Sequence, residues 1–351
     1  MTREMERIVL ANRPLGHAEL DNFRLEKTDL PTPGVNEFLA QTIWLSLDPY
    51  MRGRMNDAKS YSPPVQINET MEGECVSEII ESNNVNFSVG DIVVDRCGWA
   101  SHSISNGVNA KKIDKNLAPI STGLGVLGMP GLTAWVGLND ILKAKTGDTL
   151  VVSAATGAVG SLVGQLARLK GLRVIGIAGG SKKRSYAVDE LGYDICLDHK
   201  LYNTAELRER ISDAAPNGVD CYFENVGGKT LEAILPLMNT FGSIAVCGMI
   251  AWYSPTQTKN AAPIPMAWGS ILRQRLRVRG FIIFDHYDRF PEFYKEVAPL
   301  ITKGTIKYKE SISIGLESAP QAFIDLLEGK NFGKQLVKLA NESSEYTGPK
   351  R

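Results

Sequence analysis

Hydrophobic and polar positions change rhythm twice along this chain. Up to about residue 125 the apolar residues fall in short β-prone runs set off by Gly and Pro: FLAQTIWLSL at 38–47, GECVSEII at 73–80 and GDIVVD at 90–95. Runs bounded by turn residues predict strands, and few long helical patterns lie between them. From about residue 129 apolar runs alternate with helical stretches. LVVSAA (150–155) leads into the Gly-punctuated helix of TGAVGSLVGQLARLKG, then come RVIGIAGG (173–180), a helix near SYAVDELG, and YDICLDH. The alternation continues through AELRERISDAAP, VDCYFEN (219–225), KTLEAILPLMN and GSIAVCG. This pattern predicts a parallel sheet covered by helices. After about residue 310, SISIG, SAPQAFIDLLEGK and KQLVKLA return to the first style. The expected fold class is therefore α/β: a doubly wound parallel-sheet domain over 129–309, and a mostly β domain over 1–128 that 310–351 completes.

Composition changes this picture mainly by exclusion. A length of 351 residues suits two domains at roughly 150 residues each. With 39 basic and 39 acidic side chains there is no electrostatic reason to expect nucleic acid or an anionic membrane as partner. No run approaches the roughly 18 apolar residues that a spanning helix needs. The first residues, MTREMERIVL, lack the apolar core of a signal peptide. Cys75, Cys97, Cys196, Cys221 and Cys247 are odd in number and form no C-x-x-C, which reads as reduced thiols in a cytoplasmic chain. Five Cys and only four His are also a poor inventory of metal ligands.

The strongest local chemical signal follows LVVSAA. Gly157, Gly160 and Gly164 come directly after a predicted strand and open a helix, with Ala155 where the first glycine of G-x-G-x-x-G would stand. Small residues there let a dinucleotide pyrophosphate approach the helix N-terminus, so the turn Ala155, Thr156, Gly157, Ala158, Val159, Gly160 is the expected cofactor cradle. Glycines also serve close helix–strand packing, so the strand–turn–helix setting carries the reading. At the next strand end an NAD site usually places an acid. This chain instead reads Gly180, Ser181, Lys182, Lys183, Arg184. Hydrogen-bond donors and positive charge suit a 2'-phosphate, and the expected cofactor is NADP(H). Taken alone, the same run is a solvated helix face.

Several fragments together resemble one family. SLDPYMRGRM (46–55), YSPP (61–64), LGMPGLTAW (127–135), AATGAVGSLVGQLA (154–167), LGYDICLDHK (191–200), FENVGG (223–228), VCGMIAWY (246–253), RGFII (279–283) and GKNFGKQLVKL (329–339) span nearly the whole chain. They resemble the zinc-independent, NADPH-dependent double-bond reductases of the medium-chain dehydrogenase/reductase superfamily. That group includes prostaglandin and leukotriene reductases, plant alkenal reductases and, most similar, the bacterial curcumin reductases. The resemblance implies a GroES-like catalytic domain with a Rossmann domain inserted in it, and reduction of the C=C bond of α,β-unsaturated ketones and aldehydes. It places Lys183 and Arg184 at the 2'-phosphate. It also places His199 there, where most relatives carry a Tyr and the curcumin reductase branch resembles this sequence. It sets Asn225, Gly248 and Tyr253 beside the cofactor, the backbone of Phe281 and Ile282 at the carboxamide, and Asn331 with Gly333 near the pyrophosphate. A homodimer is compatible with the resemblance, and no sequence feature decides it.

The chemistry expected of this group needs no metal. Zinc relatives carry a Gly-His-Glu motif where this chain reads MEGECVSEI, and their clustered lobe cysteines are missing. Reduction of an enone requires hydride delivery to the β-carbon, a donor to the carbonyl oxygen and a proton for the α-carbon. Tyr253 in GMIAWYSP, at a predicted sheet edge, is the first expected donor, and Tyr50 in LDPYMRG the second. Tyr61 in SYSPP is a third candidate. Tyr50, Arg52, Tyr61, Trp252 and Phe284 are the expected surroundings of a small apolar or aromatic substrate. A quinone oxidoreductase and a non-catalytic NADP-binding protein stand as the competing readings.

Overall fold

The computed structural model describes residues 4–253 and 264–342. The chain divides into two compact units, Met1–Gly128 with Glu310–Arg351, and Met129–Lys309.

The first stretch contains β1 (Glu4–Leu10), β2 (Phe23–Asp29), β3 (Phe38–Ser46), α1 (Met51–Arg54), β4 (Cys75–Ser82), β5 (Ile92–Asp95), β6 (His102–Ser105) and β7 (Lys111–Lys112). The second unit follows with α2 (Met129–Val136), β8 (Thr149–Ser153), α3 (Gly160–Leu169), β9 (Arg173–Ala178), α4 (Ser181–Ser185), β10 (Ile195–Asp198), α5 (Thr204–Ala214) and β11 (Val219–Glu224). It closes with α6 (Gly228–Ile234), β12 (Met238–Val246), α7 (Ile264–Gln274), β13 (Arg277–Gly280) and α8 (Phe290–Thr302). The tail adds β14 (Glu310–Ile314), α9 (Ala319–Leu327) and β15 (Lys334–Lys338).

In the first unit β1 and β2 form an antiparallel pair, and a larger sheet runs β14-β15-β3-β4-β5-β7 with β6 also on β3. The tail enters this sheet through β15, whose Leu336 faces Ser46 of β3. β3 lies in the middle of that order, and all but one of its residues are buried. Such burial on both faces explains why its sequence is a near-continuous apolar run. Beside the sheet, Leu45, Met51, Met55, Val65, Trp99, Phe323 and Val337 share one core.

In the second unit six parallel strands run β10-β9-β8-β11-β12-β13, the order of a doubly wound nucleotide-binding sheet. β8 is wholly buried and β9 nearly so, as their apolar runs require. α5 is more polar and begins with a capping box, Asn203 accepting from the Glu206 amide while Glu206 accepts from that of Asn203. Where one helix is expected near SYAVDELG, α4 ends at Ser185 and a π turn over Tyr186–Glu190 continues it. The strand order reverses between β8 and β11, and their C-terminal ends form the topological switch point, where such sheets bind ligands.

Candidate functional site

The turn after β8 is built by close backbone approach. Ala154 leaves the strand at φ 50°, an unusual angle for a residue with a β-carbon, and its carbonyl accepts the Gly157 amide at 2.9 Å. A β-carbon on Gly160 would lie 2.3 Å from that same carbonyl oxygen, so α3 can start there only with glycine. Ala155 and Thr156 are buried, while Gly157, Ala158 and Val159 are half-exposed. The turn rests on Tyr193, whose buried hydroxyl donates to the Gly160 carbonyl at 2.7 Å and lies 3.3 Å from that of Ala155. The Tyr193 ring fills the space that β-carbons on Gly164 and Gly176 would need. Gly164 therefore makes room for an aromatic prop. Sequence reading missed Tyr193, whose only signal is a tyrosine just before β10.

The switch point is cross-linked by Ser153, Glu224 and Asn225. Ser153 Oγ contacts Glu224 Oε1 at 3.1 Å and accepts the Asn225 amide at 2.8 Å. Asn225 Nδ2 donates to the Ser153 carbonyl at 2.8 Å, which orients the side chain across the two strands. Glu224 is 1% exposed, and its Oε1 also accepts the Val226 and Gly227 amides at 2.6 and 2.9 Å. Burial holds its carboxyl above the usual range, against these amides. Its Oε2 and the Tyr222 hydroxyl are buried without a hydrogen-bond partner among the described residues. Gly227, at φ 78°, leads into α6, and the indole of Trp252 lies where its β-carbon would be.

Beyond β9 and β10 the ends of the strands carry basic groups. Gly180 adopts φ 91° before α4, and Asp198 Oδ2 accepts its amide while Oδ1 accepts that of Lys200. Lys200 and His199 flank Gly179, whose β-carbon would lie 2.8 Å from the Lys200 side chain and 3.0 Å from His199 Nε2. Burial pushes the Lys183 pKa down, and the charge of Lys200 adds to the effect. His199 is lowered by burial, then by Lys229; the charge of Asp198 opposes this, and Lys200 and Lys183 also repel its charge. Lys183, His199, Lys200 and Lys229 thus share one positive field. Ser181 and Arg184 are exposed, and Arg184 Nε donates to the Cys196 carbonyl at 3.1 Å, which ties it to β10. Lys200 and Lys229 were not singled out from sequence. Together with the glycine-lined turn, these donors fit a dinucleotide bearing an extra phosphate.

The remaining expected residues of this unit lie near the ends of β12 and β13. The Tyr253 hydroxyl accepts the Met249 amide at 3.3 Å and lies 3.1 Å from where Gly248 would carry a β-carbon. Phe281 is buried edge-on against Phe223, Ile282 is half-buried, and Phe284 stands against Tyr287.

In the first unit Tyr50 precedes α1, and Tyr61 is 51% exposed on the following loop. Asp48, two residues before Tyr50, pairs with the buried ammonium of Lys334 at 3.0 Å, and that ammonium also donates to the Leu47 carbonyl at 2.7 Å. Asn331 Nδ2 donates to the Gly333 carbonyl at 2.8 Å, with Gly333 at φ 75°. Arg52, expected near the substrate, lies inside the first unit. It is 1% exposed and binds Asn56 Oδ1 at 2.7 Å and the Gly16 carbonyl at 2.5 Å, so its guanidinium holds the fold together.

No group of three or more His, Cys, Asp or Glu among the described residues could hold a metal ion. Among the described residues the donor set does not fit a zinc ion.

Two family models match the chain: an N-terminal domain of oxidoreductases over residues 6–113 and a zinc-binding dehydrogenase domain over 158–303. The chain is 47% identical to the NADPH-dependent curcumin reductase of Escherichia coli (strain K12), over 96% of this chain and 97% of that protein. It is 36% identical to the NADP(+)-dependent 2-alkenal reductase of Nicotiana tabacum, over 96% of this chain and 98% of that protein. The crystal structure of CurA from Vibrio vulnificus in complex with NADPH superposes with a TM-score of 0.90 at 47% identity, covering 96% of this chain and 100% of that one.

Proposed function

This chain belongs to the medium-chain dehydrogenase/reductase superfamily, and from that premise we propose that it reduces the C=C bond of α,β-unsaturated ketones and aldehydes with NADPH. Curcumin and 2-alkenals, the compounds that name two of its relatives, share a C=C bond conjugated to a carbonyl. The observation that carries the cofactor half is the field of Lys183, His199, Lys200 and Lys229 beside a turn that admits only glycine at 160. The Ala155–Gly160 turn holds the pyrophosphate, the basic cluster with Arg184 holds the 2'-phosphate, and Asn225 orients ribose or amide. Phe281, Ile282 and Gly248 line the nicotinamide end. Residues 1–128 with 310–351 serve as the catalytic domain and 129–309 as the NADP-binding domain.

Bound NADPH supplies hydride to the β-carbon of the conjugated bond. Negative charge then develops on the carbonyl oxygen, a protein donor aimed there lowers the barrier, and the enolate takes a proton from solvent at its α-carbon to give the saturated product. We assign that role first to Tyr253, whose hydroxyl is anchored by the Met249 amide, and second to Tyr50. Tyr61, Trp252 and Phe284 supply apolar surface. No step runs through a metal.

NADPH oxidation with benzylideneacetone, and separately with a benzoquinone, tests the reading, the saturated ketone being the expected product. Turnover of the quinone alone would replace it with quinone reduction, and NADPH binding without turnover of either would leave a non-catalytic binder. Tyr253→Phe should lower turnover about 100-fold, the usual scale for a lost acid, with NADPH affinity within about two-fold. An unchanged rate would refute the assignment.

We infer further that two copies pair along β13. Residues 277–280 form an exposed sheet edge, and neighbouring α7 exposes Ile264, Trp268 and Leu272. Light scattering should give a dimer that Trp268→Glu weakens. The five unpaired cysteines support placement in the reducing cytoplasm.

A further inference from the structure

A single arginine connects the two tyrosines of the first unit. Arg54 ends α1, one helical turn after Tyr50, and its side chain is 2% exposed. Its Nε donates to Glu72 Oε1 at 2.7 Å, and its Nη1 to the Ser62 carbonyl at 3.1 Å. The carbonyl of Arg54 accepts the Val65 amide at 2.9 Å, so its backbone closes the loop that carries Tyr61 while its side chain holds the loop from within. The guanidinium carbon lies 4.2 Å from the Tyr61 ring centroid and 5.7 Å from that of Tyr50. A buried cation facing two phenol rings constrains both, because each ring presents its electron-rich face to the charge. An arginine suits the position. Its planar fork can engage a carboxylate, a carbonyl and a ring at once, which a lysine ammonium cannot do with the same geometry.

We propose that Arg54, clamped by Glu72, is a positioning residue that fixes Tyr50 and Tyr61 in the arrangement that receives the conjugated carbonyl substrate. Arg54 touches no reacting atom; it acts through the rings. This inference rests on the enone-reductase reading, and its test separates the two.

The test measures NADPH-dependent reduction of benzylideneacetone by the full-length protein carrying Arg54→Met, Arg54→Lys or Glu72→Gln, with NADPH affinity and thermal unfolding followed alongside. Arg54→Met should raise KM about ten-fold, the scale of a desolvated cation–π contact, with kcat per folded molecule and NADPH Kd within about two-fold. Arg54→Lys keeps the charge without the fork and should recover part of the loss. Glu72→Gln keeps an acceptor without its charge and should raise KM about three-fold. Unaltered KM in Arg54→Met and Glu72→Gln overturns the proposal, as does a fall in kcat at constant KM that tracks lost folded protein. If Arg54→Met does not fold, Glu72→Gln decides alone. Should the wild type reduce no enone, the underlying reading fails first; wild-type turnover with unmoved KM in the variants refutes the positioning role only.

Discussion

The proposed nucleotide end of the second unit and the tyrosine cluster of the first are held by different materials. At the end of β8 the working groups belong to backbone, and the side chains that matter are absent ones or props: Gly160 leaves space and Tyr193 fills it. Around Tyr50 and Tyr61 the backbone contributes little more than a loop closure, and buried charge does the organising, through Arg54 with Glu72 and Lys334 with Asp48. A backbone cradle recognises a group common to all dinucleotides and tolerates little change. A side-chain cluster can be retuned by single substitutions, so selectivity between substrates is expected to reside there.

The contrast can be broken most forcefully at the basic cluster, where side chains do enter the nucleotide end. Lys183→Ala with Lys200→Ala should weaken NADPH binding about 100-fold by loss of two charge-assisted contacts, with NADH binding changed less than about three-fold. Fluorescence titration with both cofactors checks this. Equal losses for NADPH and NADH would mean that the cluster does not read the 2'-phosphate.

A smaller effect tests whether the cradle depends on its prop. Tyr193→Phe keeps the ring against Gly164 and Gly176 but removes the donor to the Gly160 carbonyl. It should cost about 1 kcal/mol of stability, a typical net hydrogen bond, and weaken NADPH several-fold. Urea unfolding and the same titration measure both, and no change in either would show that ring packing alone supports the turn.

The smallest expected effect concerns Glu224, the buried carboxyl at the end of β11. Because its folded pKa is raised by burial, the native state holds its proton more tightly than the unfolded chain. The carboxyl's contribution to stability is therefore most favourable at acid pH and is lost as pH rises through the raised folded value. Glu224→Gln keeps an acceptor for the Val226 and Gly227 amides and removes this titration. The variant should gain in Tm relative to the wild type as pH climbs from acid to neutral. A difference that stays flat or runs the other way would show that the native state prefers the ionised carboxylate.

How much was legible beforehand follows the same division. The alternation of apolar runs and helical stretches locates the parallel sheet, since burial on both faces demands continuous apolar strands. The glycine turn at Gly157 and Gly160 and the basic run at Lys183 are readable as local structure because strand, turn and helix are consecutive in the chain, and the phosphate role proposed for them builds on that. Glu224, Tyr193, Lys200 and Lys229 were not readable as a group, because each reaches its place through the strand order β10-β9-β8-β11. Arg52 and Arg54 sit two residues apart in DPYMRGRM with the same side chain. Burial against Gly16 and Asn56 makes the first a strut, and proximity to Tyr50 and Tyr61 sets the second apart.

By itself, then, the sequence determined the fold class, the change of style near residues 129 and 310, and the glycine-bearing strand–turn–helix on which the nucleotide proposal rests, since hydrophobic periodicity and glycine spacing act over a few residues. The tertiary structure alone decided which buried charges are partnered, which aromatic ring props the cradle, and which arginine faces the tyrosines. Those properties depend on desolvation and on distances between residues far apart in the chain, and no local pattern encodes them.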